Sequence, residues 1–195
     1  SAFENNTARK RLGLHIEHLP WNALPDYSEF EADPEFLDAF REHQPETLKA
    51  EAGIYRFLTY VMAEKRLDAL TLECFEMVNN KSVTACLALA LLNSKGIVAG
   101  CEGDLVSLSG MMLVKALTGR IPWMANLASI DAEKVFFAHC TIPLNLVDQF
   151  QVETHYETNK SAAIQGNVSM GNVVVFRLGE GLDKAFIAKG RIITS

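Results

Sequence analysis

Gly96-Ile-Val-Ala-Gly-Cys-Glu-Gly-Asp-Leu-Val-Ser-Leu-Ser-Gly-Met-Met-Leu-Val-Lys-Ala-Leu-Thr-Gly119 is the stretch that decides how the chain reads. Its opening apolar run, residues 97–101 between glycines, predicts a strand buried on both faces. Leu105, Leu108, Met112 and Ala116 then recur at helical spacing, and Gly119 is placed to close the helix as a left-handed cap. A strand that runs straight into a helix puts its connecting turn at the carboxyl end of a sheet, where open α/β folds bind ligands. That turn is Glu102-Gly103-Asp104.

Asp104 supports two readings. Its carboxylate can cap the helix that follows by accepting orphan amides at the positive helix end. It can equally face a ligand. Glu102 is harder to account for structurally, because it follows a fully buried strand, where an unpaired carboxylate costs several kcal/mol. It needs a cation, a donor or a solvent-filled cleft.

Working outward, residues 12–19 alternate apolar and polar side chains, which predicts a half-buried strand. Asp33-Pro34 predicts a capped helix with Phe36, Leu37 and Phe40 inward. A longer helix is expected from about residue 45 to 66, with Leu48, Ala52, Tyr55, Leu58 and Met62 on one face. Residues 68–75 read as a strand ending near Glu73, and residues 82–92 as an Ala/Leu-rich helix. Strand and helix alternating through short turns indicate a parallel sheet, with Glu73 and Glu102 on one rim.

Beyond Pro122 the texture changes to six short β-rich runs: 123–130, 135–140, 150–156, 162–168, 173–178 and 185–193. Turn signals such as Gly179-Glu180-Gly181 separate them. The expected fold is therefore α/β: a parallel-sheet, Rossmann-like domain over residues 11–120, then a mostly antiparallel, barrel-like β domain over 121–195. Residues 1–10 read as a disordered or cloning-derived lead-in.

The formal charge of −6 and the lack of a basic cluster argue against nucleic acid. No apolar run reaches the length that spans a bilayer. The four cysteines (Cys74, Cys86, Cys101 and Cys140) lie in apolar contexts without metal-knuckle spacing. They read as buried free thiols of a cytoplasmic protein, which argues against structural zinc. His139, on an alternating run between Ala138 and Cys140, reads as a core or strand-end histidine and also as a candidate sugar contact or proton carrier. His15, His18, His43 and His155 read as solvated.

At Leu70-Thr-Leu-Glu-Cys-Phe, Thr84-Ala-Cys-Leu-Ala-Leu, Ala99-Gly-Cys-Glu-Gly-Asp-Leu, Met111 through Leu117-Thr-Gly and Ala138-His-Cys-Thr-Ile-Pro-Leu, the chain resembles the L-fucose/L-arabinose isomerase superfamily. It is most similar to the L-fucose isomerase-like branch. The resemblance runs over about residues 11–195. It implies a second α/β domain followed by part of a β domain, in a homo-oligomer that interconverts aldoses and ketoses, usually with Mn²⁺. By the motif match Asp104 stands where the family has a metal ligand and acid/base carboxylate, with Glu102 beside it as a second acidic group. The chemistry suits these residues: when a sugar carbonyl shifts through an enediol, a nearby carboxylate can ferry the proton and a divalent cation that grips both oxygens stabilises the developing charge.

The chain departs from the family pattern where a ligand glutamate is expected, because Thr84-Ala85-Cys86 holds no acid. Glu73, at the same rim, is the candidate replacement. The family's ligand histidine and its N-terminal domain have no counterpart segments here, so the resemblance implies a middle portion that is inactive alone. The catalytic candidates are Asp104, Glu102, Glu73 and His139, and the metal candidates Asp104 and Glu102. The competing reading is a catalytically silent sugar-binding or regulatory relative, since a fold does not fix a function.

Overall fold

The computed structural model describes residues 5–193. Part of the expected lead-in is ordered: α1 (Asn5–Leu12) is a helix whose Ala8 is fully buried against Val106, Leu178 and Leu182. Residues 1–4 of that lead-in lie outside the described residues. The strand expected over 12–19 does not form. Its alternation is nevertheless real, because Leu12, Leu14 and Ile16 pack on the same cluster as Ala8. Among the described residues no strand pairs with it. Instead the Asn5 amide donates to the Ile16 carbonyl at 2.9 Å and accepts from the Ile16 N–H at 3.2 Å. A side chain thus does what a ladder partner would do.

α2 (Pro34–Ala39) starts as expected. Asp33 accepts hydrogen bonds from the Glu35 and Phe36 amides at 3.0 and 3.2 Å, and Pro34 sets the first helical φ. Phe36 and Phe40 are fully buried. α3 (Lys49–Lys65) buries Ala52, Tyr55, Leu58 and Met62 and ends at Arg66 in the left-handed region. Gly53 allows the close approach of the preceding segment, since a Cβ there would stand 2.6 Å from the Phe30 carbonyl oxygen.

β1 (Ala69–Thr71) is shorter than the predicted strand. Cys74 already opens α4 (Cys74–Lys81), in which Cys74, Met77 and Val78 form the buried stripe. Ser82 caps that helix with positive φ, which delays α5 (Cys86–Ser94) beyond its expected start. α5 is buried on every side from Cys86 to Asn93, the behaviour of a helix at the centre of a core. Its Asn93 side chain accepts from the Ala99 N–H at 3.0 Å and donates to the Ala99 carbonyl at 2.7 Å. That amide fastens α5 to β2 (Val98–Gly100), which is wholly buried and runs parallel to β1 in the register Leu70↔Ala99. α6 (Leu105–Thr118) follows, capped by Gly119 at φ 72°. Its buried face holds Val106, Leu108 and Met111, whereas Ala116 is exposed.

The six β-rich runs all form strands, paired as consecutive antiparallel hairpins. They are β3 (Asn126–Ile130) with β4 (Val135–Ala138), β5 (Val147–His155) with β6 (Lys160–Val168), and β7 (Gly171–Leu178) with β8 (Ala185–Ile192). The barrel-like expectation is corrected here: among the described residues each sheet has two strands and no barrel closes. The fold is α/β, with a small parallel sheet and antiparallel strand pairs. Ala162, Ala163 and Ile164 of β6 join the same hydrophobic cluster as α2, α3 and α5. Phe176 and Leu178 of β7 lie against Gly110 of α6. Among the described residues no helix is long and apolar enough to cross a membrane.

Candidate functional site

The turn after β2 is built from two consecutive residues in left-handed backbone, Glu102 at φ 62° and Gly103 at φ 64°. A non-glycine residue held there costs roughly 1–2 kcal/mol, and such strain clusters at functional sites. The Gly103 N–H donates to the Leu72 carbonyl at 2.9 Å, which ties the turn to the end of β1. A Cβ on Gly103 would lie 3.2 Å from Glu73 Cγ, so glycine is what lets Glu73 pass.

Asp104 is the N-cap of α6. One carboxylate oxygen accepts the Ser107 N–H at 2.9 Å. The other accepts the Ser107 hydroxyl at 2.6 Å and Arg177 Nη1 of β7 at 3.1 Å. Arg177 also donates to the Ser107 hydroxyl. Burial alone would raise the Asp104 pKa, but the Ser107 hydroxyl and amide, with Arg177, outweigh it and hold the carboxyl below its ordinary value.

Glu102 points elsewhere. Its Oε1 lies 3.8 Å from His139 Nε2, with the Glu102 side chain 32% exposed and that of His139 1% exposed. The Thr141 N–H donates to His139 Nδ1 at 3.4 Å, which leaves the proton of a neutral ring on Nε2, facing Glu102. His139 Nε2 is buried and has no hydrogen-bond partner. Burial would lower the imidazole pKa, but the hydrogen bond and charge of Cys140, with the charge of Glu102, raise it. Glu73 is exposed, sits at the start of α4 without a side-chain capping bond, and has its Cγ beside Gly103. The structure therefore brings Glu73, Glu102 and His139 to the carboxyl ends of β1 and β2, while Asp104 turns toward Arg177.

A hard cation such as Mn²⁺ wants several free oxygen donors. Glu102 offers one carboxylate, but both Asp104 oxygens are engaged by Ser107 and Arg177. Placed as they are, these residues do not fit Mn²⁺: Asp104 would first have to exchange Arg177 for the ion. Two surface grooves, one lined by Trp21, Tyr27, Glu76 and Lys81 and one beside it at Phe30 and Val83, include neither Glu102 nor Asp104.

Two sequence readings need correction. His155 is not solvated: it is 3% exposed, with Nδ1 3.0 Å from the Thr158 hydroxyl. His43 is half-buried, its ring 4.7 Å from that of Phe150. The cysteines are free and buried as expected, but they are not scattered. Cys101 Sγ is 3.1 Å from Cys74 Sγ. The ligand atoms of Cys101, His139 and Cys140 all lie within 4.8 Å of one another, as do those of Cys86, Cys140 and His155. Hydrogen bonds from the Cys101 and Cys86 thiols, with help from His139, push the Cys140 thiol toward its thiolate, and the same contacts push Cys101 and Cys86 up. Local spacing could not show this, because each cysteine sits at or near the end of a different element.

No family model matches the chain. Two curated proteins, each named sulfoquinovose isomerase, from Priestia aryabhattai and Priestia megaterium, are 26% identical to it over 151 residues. The match covers 71% of this chain and 34% of each relative, so the chain spans about a third of their length. What these comparisons show is a distant likeness to proteins named as sugar isomerases.

Proposed function

We propose that this chain is part of an aldose–ketose isomerase, acting with the rest of a longer polypeptide and inactive alone. The observation that carries the reading is the exposed Glu102 carboxylate, held in left-handed backbone at the sheet rim and faced by the buried His139 Nε2, which has no hydrogen-bond partner. The named relatives support the same class of reaction.

In this reading Glu102 takes the proton from C2 of an open-chain aldose. The C–H electrons form the C1–C2 double bond of the enediol as the carbonyl oxygen O1 is protonated. Glu102, its exposed carboxyl exchanging protons with solvent, then delivers a proton to C1 while O2 loses its own and becomes the ketose carbonyl. A positioned carboxylate of this kind contributes about 10²- to 10⁴-fold. His139 turns Nε2 toward Glu102 at 3.8 Å, and Glu73 on the same rim is the group placed to move the proton between O2 and O1. Asp104 holds the turn in place by capping α6. No step here depends on a metal, and Mn²⁺ would enter only with Asp104 released from Arg177.

The relatives' names make sulfoquinovose the first sugar to try. Free buried thiols persist in a reducing compartment, which supports a cytoplasmic protein. The hairpins carry exposed apolar side chains, among them Ile130, Val174, Phe186 and Ile187. Those faces support assembly into a homo-oligomer, which light scattering coupled to gel filtration would test.

One observation favours the second reading, a silent sugar-binding relative: the Asp104 carboxylate is already occupied by Arg177. Turnover separates the two. Ketose formed from an aldose by the longer polypeptide supports the isomerase, and binding of the sugar without turnover supports the silent relative.

A further inference from the structure

The thiols at the rim form a donor set that the isomerase reading does not use. Cys74 opens α4, Cys101 follows β2, and His139 and Cys140 follow β4. All are buried among apolar side chains. We propose that Cys101, His139 and Cys140 form a thiolate–imidazole site for Zn²⁺, its fourth tetrahedral position open to water, that staples β2 to the exit of β4 beneath the rim.

The chemistry of the donors selects the ion. Sulfur with one imidazole suits Zn²⁺, whereas Mn²⁺ prefers oxygen. Tetrahedral Zn–S bonds of about 2.3 Å place ligand sulfurs roughly 3.8 Å apart. The three core donor atoms, all within 4.8 Å of one another, need shifts on the order of an ångström. Cys74, its Sγ 3.1 Å from Cys101 Sγ, is a neighbouring thiol and not one of the close donors.

His139 supplies the independent observation. Its Nδ1 faces Cys140 Sγ at 3.7 Å and has only a long 3.4 Å approach from the Thr141 N–H. With Nδ1 on an ion, the proton must sit on Nε2, the buried atom that lacks a partner and points at Glu102. A histidine ligand whose other ring nitrogen faces a carboxylate is the usual supporting arrangement around zinc. Each thiol that binds releases its proton to solvent, so binding strengthens as pH rises. The neighbouring group of Cys86, Cys140 and His155 shares Cys140 but is less available, since His155 Nδ1 already meets Thr158 at 3.0 Å.

This site does not depend on the isomerase reading, and its test reads metal directly. The chain is purified under reductant and titrated with Co²⁺ as a spectroscopic stand-in, and its Zn²⁺ content is measured after gel filtration. The expected result is about one Zn²⁺ per folded chain, with thiolate-to-Co²⁺ charge-transfer absorption and the d–d bands of a tetrahedral site. Cys101→Ser and Cys140→Ser remove those bands, and Cys86→Ser keeps them. Glu102→Gln, on the surface and outside the core, weakens Zn²⁺ binding about 10- to 100-fold and so tests the site without risk to folding. A reduced, folded wild-type chain that retains no Zn²⁺ and shows no charge-transfer band overturns the proposal. So do bands that survive Cys101→Ser but vanish in Cys86→Ser, because the ion would then sit in the neighbouring group.

Discussion

Asp104 accepts a hydrogen bond from Arg177 at 3.1 Å, and this contact joins the first turn of α6 to β7 across 73 residues of sequence. The same carboxylate caps α6 through the Ser107 amide. Asp104→Ala removes both interactions and is expected to lower stability by about 1–2 kcal/mol, with Asp104→Asn losing less because an amide oxygen still caps. Urea unfolding of the variants checks this. Lost turnover at unchanged stability would instead return Asp104 to the ligand role implied by the resemblance.

The acid limb of stability draws on carboxylates held below their ordinary values, Asp26 and Asp104 among them. Asp26 accepts from the Ser28 hydroxyl first, then from the Ser28 amide and Lys81, and its pKa falls from 3.8 to about 2. Asp104 is also lowered. A folded-state pKa below the unfolded one stabilises fully above the unfolded value, and the gain is lost as pH falls through the folded value. The Asp26 contribution is therefore intact above about pH 4 and fades toward pH 2. Unfolding measured over that range should show a shallower slope in Asp26→Asn than in wild type.

Gly103→Ala places a side chain at φ 64° and 3.2 Å from Glu73 Cγ. The expected cost is about 1 kcal/mol or more, together with displacement of Glu73 from the rim. Gly119→Ala is the comparison: its φ of 72° is equally left-handed, but nothing lies within 4 Å of the added Cβ. The two variants should share the backbone cost in thermal unfolding, and Gly103→Ala alone should carry the extra contact.

Gly53→Ala tests how the loop before α2 docks on α3. Its Cβ would meet the Phe30 carbonyl oxygen at 2.6 Å, and backbone cannot swing aside as a side chain can. A loss of about 1–3 kcal/mol is expected, typical of overpacking, with the stacked Trp21–Phe57 pair disturbed. Near-ultraviolet circular dichroism and urea unfolding report both effects.

Much of this architecture is written in local patterns. The Asp33-Pro34 cap, the apolar face of α3, the buried β2 and the hairpin strands all follow from short-range chemistry that the structure repeats. α4 escaped because Cys74 and Phe75 extend the apolar run of β1, and the stripe of Cys74, Met77 and Val78, though at helical spacing, is too short to outweigh that run. Residues 12–19 kept a strand's alternation and lost the strand, because pairing is decided by whichever backbone is adjacent. At the site, the shared rim of Glu73 and Glu102 is what strand ends imply, whereas the approach of His139 to Glu102 is not. Nor are the Arg177 partner and the thiol cluster, since both join residues far apart in sequence.

The measurement that bears most directly on the proposed chemistry is proton exchange. The polypeptide carrying this chain is incubated with aldoses, sulfoquinovose among them, in D₂O and followed by NMR. Ketose carrying deuterium at C1 is expected, with kcat/KM reduced about 10²- to 10⁴-fold in Glu102→Gln at unchanged folding. Ketose formed without deuterium, or wild-type turnover in Glu102→Gln, would contradict the assignment of Glu102 as the proton carrier.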